Sequence, residues 1–536
     1  PPPPPPPPPP PFSRSRRHPR FGFKSRGLGD VYKRQIIEFA LAPQLWAAYR
    51  TGSASLSQVW RGDILFEGSV YDYRHGPQPT ATGAWYVRHP VPGEWALAAG
   101  GDALPAEVQY LGHRYRESRQ QALFDFELSA GGLHARVSER PELVEDDGRL
   151  YLQRNFSVQS SDPGLQVVYR QAGQDLIELS TGETTVSIAL DNATPIPAPE
   201  EEAEEDGSEV SRGKKVVENS DCLGCHNETH QVVGPAFARI AQKFRGKLQQ
   251  EPVDVLTDAI INGSQGVWGK VPMPGHPGMP RKDARAAVVY ILSLSELDIE
   301  EDIPLDEHGK QYAFTRDYEV GERLTTLHPA FELENVIPEG FEPKVGGMDF
   351  RSDGKLLVAS WDRDGAVFLV DVDGEGPGSV KRIAEGLHEP LGLAVVDDRV
   401  FVLQKQELTE LVDSDGDEII DHYRTLSNAW PTSANFHSFA FGLVHKEGYL
   451  YGLLSVCILP GGASCPEQEA QQGKLLRVAL ADGATDFPAG GFRTPNGIGL
   501  GPGGELMVND NQGDWLPSSK LLRVEPGRFY GFRGIA

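Results

Sequence analysis

Residues 222–226 read Cys222-Leu223-Gly224-Cys225-His226, inside a segment, 210–297, whose patterning differs from the sequence on either side. Apolar positions recur at three- and four-residue steps across 248–261 and 282–294, with glycine and proline collected between those stretches. That period belongs to amphipathic helices, so a small all-α domain is predicted here. Two thiols two residues apart then sit on one turn, and the imidazole that follows leaves from the same turn.

This Cys-x-x-Cys-His pattern is the signature of c-type haem attachment, in which the thiols form thioethers to the vinyl groups and the imidazole ligates iron. A redox dithiol or half of a zinc site is the alternative, but no second cysteine pair lies nearby to complete a Cys₄ cluster. Iron needs a sixth ligand. Val271-Pro272-Met273-Pro274 offers a thioether from a proline-flanked loop, with Met279 and His276 as competitors. Methionine ligation would raise the potential relative to two imidazoles.

On these residues, 210–297 resembles the small bacterial class I monohaem cytochromes c across nearly its whole length. Val233-Gly234-Pro235-Ala236 resembles the family loop whose proline carbonyl accepts from the proximal imidazole. Asn262-Gly263-Ser264-Gln265-Gly266-Val267-Trp268-Gly269 resembles the segment leading to the axial methionine. The resemblance thus assigns Pro235 and Trp268 to the pocket of one haem c, the indole shielding haem and offering its N–H to a propionate; an ordinary core tryptophan would read the same. It also implies that Gly213 faces Tyr290 where the first and last helices cross. Thioethers of this family form after export, so the resemblance implies a periplasmic or otherwise extracytoplasmic location.

Beyond a connector, 298–328, the patterning becomes alternating, and glycine recurs before strand-like runs at Gly347, Gly392, Gly442 and Gly497, spaced by 45, 50 and 55 residues. That spacing suits four-stranded blades, so 329–536 is predicted to be a β-propeller, with only about four blades before the last residue and further blades expected downstream. Cys457 and Cys465, eight apart, are open to two readings, a disulfide or two thiols.

The same segment resembles the glucose/sorbosone dehydrogenase-like propellers, quinoprotein-type domains often fused to cytochromes c. Asn435-Phe436-His437-Ser438-Phe439-Ala440-Phe441-Gly442 stands where that family has its histidine-containing strand, which makes His437 the implied base for a substrate hydroxyl. Phe492-Arg493-Thr494-Pro495-Asn496-Gly497 resembles the segment contacting pyrroloquinoline quinone (PQQ), and a guanidinium suits its carboxylates. The usual His-Asn-Gly-Gly is here His437-Ser438-Phe439-Ala440. A non-catalytic propeller, with both residues only satisfying blade hydrogen bonds, therefore stays open. Asp413, Asp415, Asp417 and Asp421 place carboxylates as calcium would use them, or as an Asp/Gly hairpin turn would; the EF-hand spacing is absent.

Upstream, 36–197 shows short alternating runs between Gly, Pro and Asp turns, a mostly-β domain of unknown role, with a Pro-rich turn around His75. An acidic linker, 198–209, follows. Residues 1–35 open on eleven consecutive prolines and end on Gly27 to Gln35, a stretch that looks like translated sequencing adapter; they are set aside from the fold, and both ends of the chain are expected to be cut. A formal charge of −25 over 536 residues argues against nucleic acid, and no apolar run reaches the length of about 18 residues that a membrane helix needs. The whole reads as a multidomain electron-transfer protein: a mostly-β domain, a small all-α cytochrome c and a truncated β-propeller. A redox partner protein and a sugar or alcohol substrate are implied, with a binding or scaffold propeller as the rival.

Overall fold

The computed structural model describes residues 22–23, 36–65, 80–116, 121–173, 176–197, 208–220, 222–231, 234–245, 250–264, 273–299, 338, 340–373, 379–433, 435–459, 464–465, 468–511 and 519–532. Trp268, the His75 turn, most of the acidic linker and most of the connector lie outside the described residues. The chain is multidomain and mostly β, with one small helical unit.

In the N-terminal unit, strands Ile36–Ala42, Leu45–Arg50, Ser55–Arg61 and Ala84–Arg88 form consecutive neighbours in one antiparallel sheet. Gly22–Phe23, within the stretch that the sequence sets aside, pairs with the first of them. A second sheet is built from β1 (Glu107–Arg116), β2 (Gln121–Ala130), β3 (Leu133–Asp146), β4 (Arg149–Gln159) and β5 (Gly182–Ala189). Along β3, Ala135, Val137, Glu139 and Pro141 are buried while the intervening residues turn outward, the period-two pattern of a half-buried strand. Glu139 survives in that core because Arg154 grips it with two hydrogen bonds, 2.6 and 2.9 Å, and the Tyr49 hydroxyl donates to it at 2.7 Å.

The helical unit contains α1 (Glu209–Glu218), α2 (Phe237–Phe244), α3 (Gln250–Asn262) and α4 (Arg281–Ser293). Ser208 caps α1 by accepting from the Ser211 N–H at 3.1 Å. On α4, Ala284, Ala287, Val288 and Ile291 are buried, one stripe at helical spacing. α1 crosses α4 so closely that a Cβ on Gly213 would lie 1.9 Å from the Ala286 carbonyl oxygen and 2.8 Å from Tyr290 Cβ.

The C-terminal part is a series of antiparallel meanders: β6 to β9 (Val345–Phe350, Leu356–Ser360, Ala366–Val370, Val380–Ala384), β10 to β13 (Gly392–Val396, Arg399–Leu403, Leu408–Val412, His422–Ser427), β14 to β17 (Ala440–Lys446, Tyr449–Leu454, Lys474–Ala479, Thr485–Gly490) and β18 to β20 (Pro495–Leu500, Leu506–Asp510, Lys520–Val524). Their first strands lie side by side, which explains the recurring glycines. A Cβ on Gly347 would meet Leu393 N at 2.5 Å, on Gly392 the Gly442 oxygen at 2.6 Å, and on Gly442 the Ile498 Cγ2 at 2.7 Å. Each glycine lets one meander approach the next where a side chain has no room.

The two β units, separate domains in the sequence reading, share a sheet. β1 pairs antiparallel with β13, Gly112 opposite Arg424, His113 opposite Tyr423 and Arg114 opposite His422. The result is a nine-stranded sheet in the order β5-β4-β3-β2-β1-β13-β12-β11-β10. One apolar core runs from Phe124, Phe126 and Val137 into Leu357, Val402 and Tyr423. Pairing satisfies the outer edge of the second meander, which would otherwise offer open N–H and C=O groups.

Candidate functional site

Cys222–Gly224 forms a single turn of 3₁₀ helix, and the N–H groups of Cys225 and His226 both return to the Cys222 carbonyl, at 3.2 and 3.0 Å. The turn therefore gathers two sulfurs and one imidazole from five consecutive residues. Cys222 is half-buried against the helical core and accepts from Ser220 Oγ at 3.0 Å, while Cys225 is exposed.

The His226 ring is held on three sides. Its Nδ1 lies 2.8 Å from the Pro235 carbonyl oxygen, and Phe237 stacks on it at 5.1 Å between centroids and 16° between planes. Gly234 supplies the third side: a Cβ there would fall 2.3 Å from His226 Cε1. Burial pulls the His226 pKa below its ordinary value, opposed by the Pro235 carbonyl. The neutral ring donates from Nδ1 and keeps the Nε2 lone pair for a metal.

Met273 is half-buried at the edge of the core cluster that also includes Cys222 and Leu223. Its backbone is tied to the end of α3, Met273 N to Ser264 O at 2.8 Å and Ser264 N to Met273 O at 3.1 Å. The competitors are engaged elsewhere. Met279 is 3 % exposed inside the helical core, and both the N–H and the ring Nδ1 of His276 lie against the Ile260 carbonyl, at 2.9 and 3.3 Å. The donor set present, two thiols, a neutral imidazole with its tautomer fixed and a thioether, suits haem c.

In the meanders, strand direction decides which loops share a face. A first strand is approached from the end at which the second strand leaves, so 388–391, 404–407, 435–439, 455–458 and 493–494 gather at one end. His437 and Arg493 meet there through a common segment: the Ser455 hydroxyl donates to the His437 carbonyl at 2.5 Å, and the Val456 N–H donates to the Arg493 carbonyl at 2.9 Å. The half-buried His437 ring sits edge-on to Phe436 and Phe439, at 5.8 and 5.1 Å. Arg493 is buried, and its N–H and that of Thr494 donate to Asp510 Oδ1, each at 3.0 Å.

The sequence reading missed the charges beside them. Lys405 is fully buried, with Nζ 3.3 Å from Glu389 Oε1 and 3.2 Å from the Asn435 carbonyl. Burial alone would raise the Glu389 carboxyl, but Lys405 and His388 outweigh it and hold it below its usual value. Asp510 pairs with Lys520 at 3.2 Å. The run Gln404-Lys405-Gln406-Glu407 resembles a solvated turn, and only the buried strands on either side hinted otherwise.

Asp413, Asp415 and Asp417 bring carboxylate oxygens within 4.8 Å of one another. Asp421 is not part of that group; its Oδ1 accepts from the Ser414 N–H at 2.9 Å and closes the loop. Asp413 accepts from Gly416 and Glu418, both at 2.8 Å, as a hairpin turn requires. This loop joins β12 to β13, at the end of the meander opposite His437. Cys457 and Cys465 form a disulfide with Cα atoms 5.4 Å apart.

The cytochrome c family profile matches residues 210–295. Among relatives, cytochrome c-551 of Allochromatium vinosum is 37% identical over 79 residues, 15% of this chain and 82% of its own length. The chain is similar to a proposed oxidoreductase (glucose dehydrogenase) from Thermus thermophilus, 20% identical over 37% of this chain and 66% of that one, TM-score 0.29. It is also similar to the PQQ-bound aldose sugar dehydrogenase of Streptomyces coelicolor, 17% identical over 36% and 63% of the two chains, TM-score 0.29. Through residues 210–295 the chain belongs to the cytochrome c family.

Proposed function

We propose that the chain is an extracytoplasmic electron-transfer protein in which Cys222 and Cys225 bind one haem c covalently and His226 and Met273 ligate its iron. The observation that carries this reading is the His226 ring, oriented by Pro235, Phe237 and Gly234 so that Nε2 faces away from its hydrogen bond. Trp268 completes the pocket in this reading. The Cys457–Cys465 disulfide supports an oxidising compartment.

The meanders, in the same reading, are blades of a quinoprotein-type propeller that oxidises a sugar or alcohol and passes electrons to the haem unit and on to a redox partner protein. His437 takes the hydroxyl proton, and Arg493 binds carboxylates of the quinone. Their meeting at one end of the blades supports these roles, and a buried arginine suits an anionic cofactor. Bound PQQ would supply a two-electron acceptor and haem a one-electron couple. Asp413, Asp415 and Asp417 are the carboxylates offered to calcium, at the other end.

A second reading, a binding propeller with a haem relay, is favoured by the compensated pairs Lys405–Glu389 and Lys520–Asp510, which stabilise the loops without any ligand. One experiment separates the two. The intact chain, produced in a host that attaches haem, is examined by reduced-minus-oxidised spectra with and without PQQ, calcium and a panel of sugars and alcohols. Substrate-driven haem reduction is expected; a haem spectrum that no substrate reduces would leave the binding propeller. Absence of covalent haem would overturn both.

A further inference from the structure

The outward face of the nine-stranded sheet carries a polar cleft lined by residues of both β units. Side chains two residues apart on a strand point to the same face. In β3 the residues alternating with the buried Ala135, Val137 and Glu139 are Arg136, Ser138 and Arg140, and their cross-strand partners in β4 are Gln159, Ser157 and Asn155. Arg114 and Arg116 extend the same face along β1, and His422, opposite Arg114, brings in the blade. Together with Glu183 and Ser414 they line a cleft of about 470 Å³ across the junction of the two β units.

The chemistry of this lining is specific. Its cations are all arginines, in a chain whose formal charge is −25. Two are neutralised locally: Arg114 holds Asp125 bidentately, at 2.5 and 2.8 Å, and Arg140 pairs with Glu142 at 2.6 Å. Arg116 and Arg136 are exposed and have no acid partner among the described residues. Burial above all, with Arg114 and Arg136 adding to it and Asp125 and Asp421 opposing, holds the His422 pKa below its ordinary value, so the imidazole serves as a neutral hydrogen-bonding group. Leu123 is the one apolar side chain of the lining. Guanidinium forks recognise carboxylate or sulfate, while hydroxyl, amide and carboxylate groups in a shallow polar cleft recognise sugar hydroxyls. The volume suits a small ligand.

We propose that this cleft binds an anionic carbohydrate unit, a uronic acid or sulfated sugar, with Arg116 and Arg136 taking its acid group and Ser157, Asn155 and Glu183 its hydroxyls. The assignment stands apart from the quinoprotein reading, because it uses neither the loops that carry His437 and Arg493 nor the haem unit.

The full haem-loaded chain is titrated calorimetrically at low salt with D-galacturonate, D-glucuronate and galactose 6-sulfate, with galactose and sodium sulfate as controls. At least one acidic sugar is expected to bind at least tenfold more tightly than either control. Arg116→Gln with Arg136→Gln should weaken that binding at least tenfold while the melting temperature and haem spectrum stay as in the parent. Asn155→Ala gives a second test, on the hydroxyl side, and should weaken the acidic sugar without changing sulfate. Binding of none of the three acidic sugars, equal binding of galactose, equal binding of sulfate, or indifference to the arginine substitutions would each overturn the proposal.

Discussion

The imidazole of His113 lies face to face on the phenol ring of Tyr423, centroids 4.6 Å apart and planes 13° from parallel. His113 belongs to β1 and Tyr423 to β13, both are buried, and the pair sits at the centre of the strand pairing that fastens the N-terminal unit to the second meander. Gly112, beside it, has φ +122°, and a Cβ there would fall 2.1 Å from the Tyr423 carbonyl oxygen.

Acid should loosen this junction. Burial, with a smaller push from His422, holds the His113 pKa well below its ordinary 6.5. Because the folded value is the lower one, the neutral ring's contribution to stability is in place above 6.5 and is lost as pH falls through the folded value. In urea unfolding followed between about pH 5 and about pH 8, the part of the stability profile that depends on His113 should fall on the acid side. His113→Phe should flatten that slope, and an unchanged slope would mean that other groups set it.

Met273→Ala should remove the sixth ligand, giving a ferric spectrum of changed spin state and a lower potential, with covalent haem retained. Met279→Ala should leave the spectrum alone and lower stability by roughly 2–5 kcal/mol, as expected for truncating a buried methionine. The reverse pattern would exchange the two assignments.

Gly234→Ala places a methyl against the His226 ring, where the Cβ would lie 2.3 Å from Cε1. The ring must turn, breaking its 2.8 Å contact with Pro235. A drop of about tenfold or more in haem retention or an altered axial spectrum is expected, consistent with the usual effect of losing an outer partner of a ligating histidine.

Glu407 is buried, and burial raises its carboxyl pKa to about 7 against hydrogen bonds from Thr409 and Thr425 that lower it. The folded value exceeds the ordinary 4.5, so the stability it confers is complete below 4.5 and declines as pH rises to about 7. The span corresponds to roughly 3 kcal/mol. Glu407→Gln should abolish that decline, measured as the difference in unfolding free energy across the window.

Some of this was legible in the linear chain because its causes are local. Five adjacent residues carry both thiols and the imidazole of the motif, and one turn suffices to gather them. Helical periodicity marked α3 and α4, and the Gly347, Gly392, Gly442 and Gly497 recurrence marked the meanders, since each meander meets the same crowding at its first strand. The pairing of Cys457 with Cys465, left open by their spacing, needed the Cα separation of 5.4 Å.

The linear chain therefore carried the haem motif, the order of mostly-β, helical and meander segments, and the lack of any apolar run long enough for a membrane helix. Docking of the folded segments settled the rest: that β1 completes the second meander, that Lys405, Glu389 and Asp510 stand beside His437 and Arg493, that Asp421 leaves the other three aspartates, and that Met279 is core while Met273 is half-buried at the edge of that core. Periodicity encodes which face of an element is apolar. It carries no record of which edge that element will meet, or of which charges burial will force into pairs, because those depend on the docking of segments hundreds of residues apart.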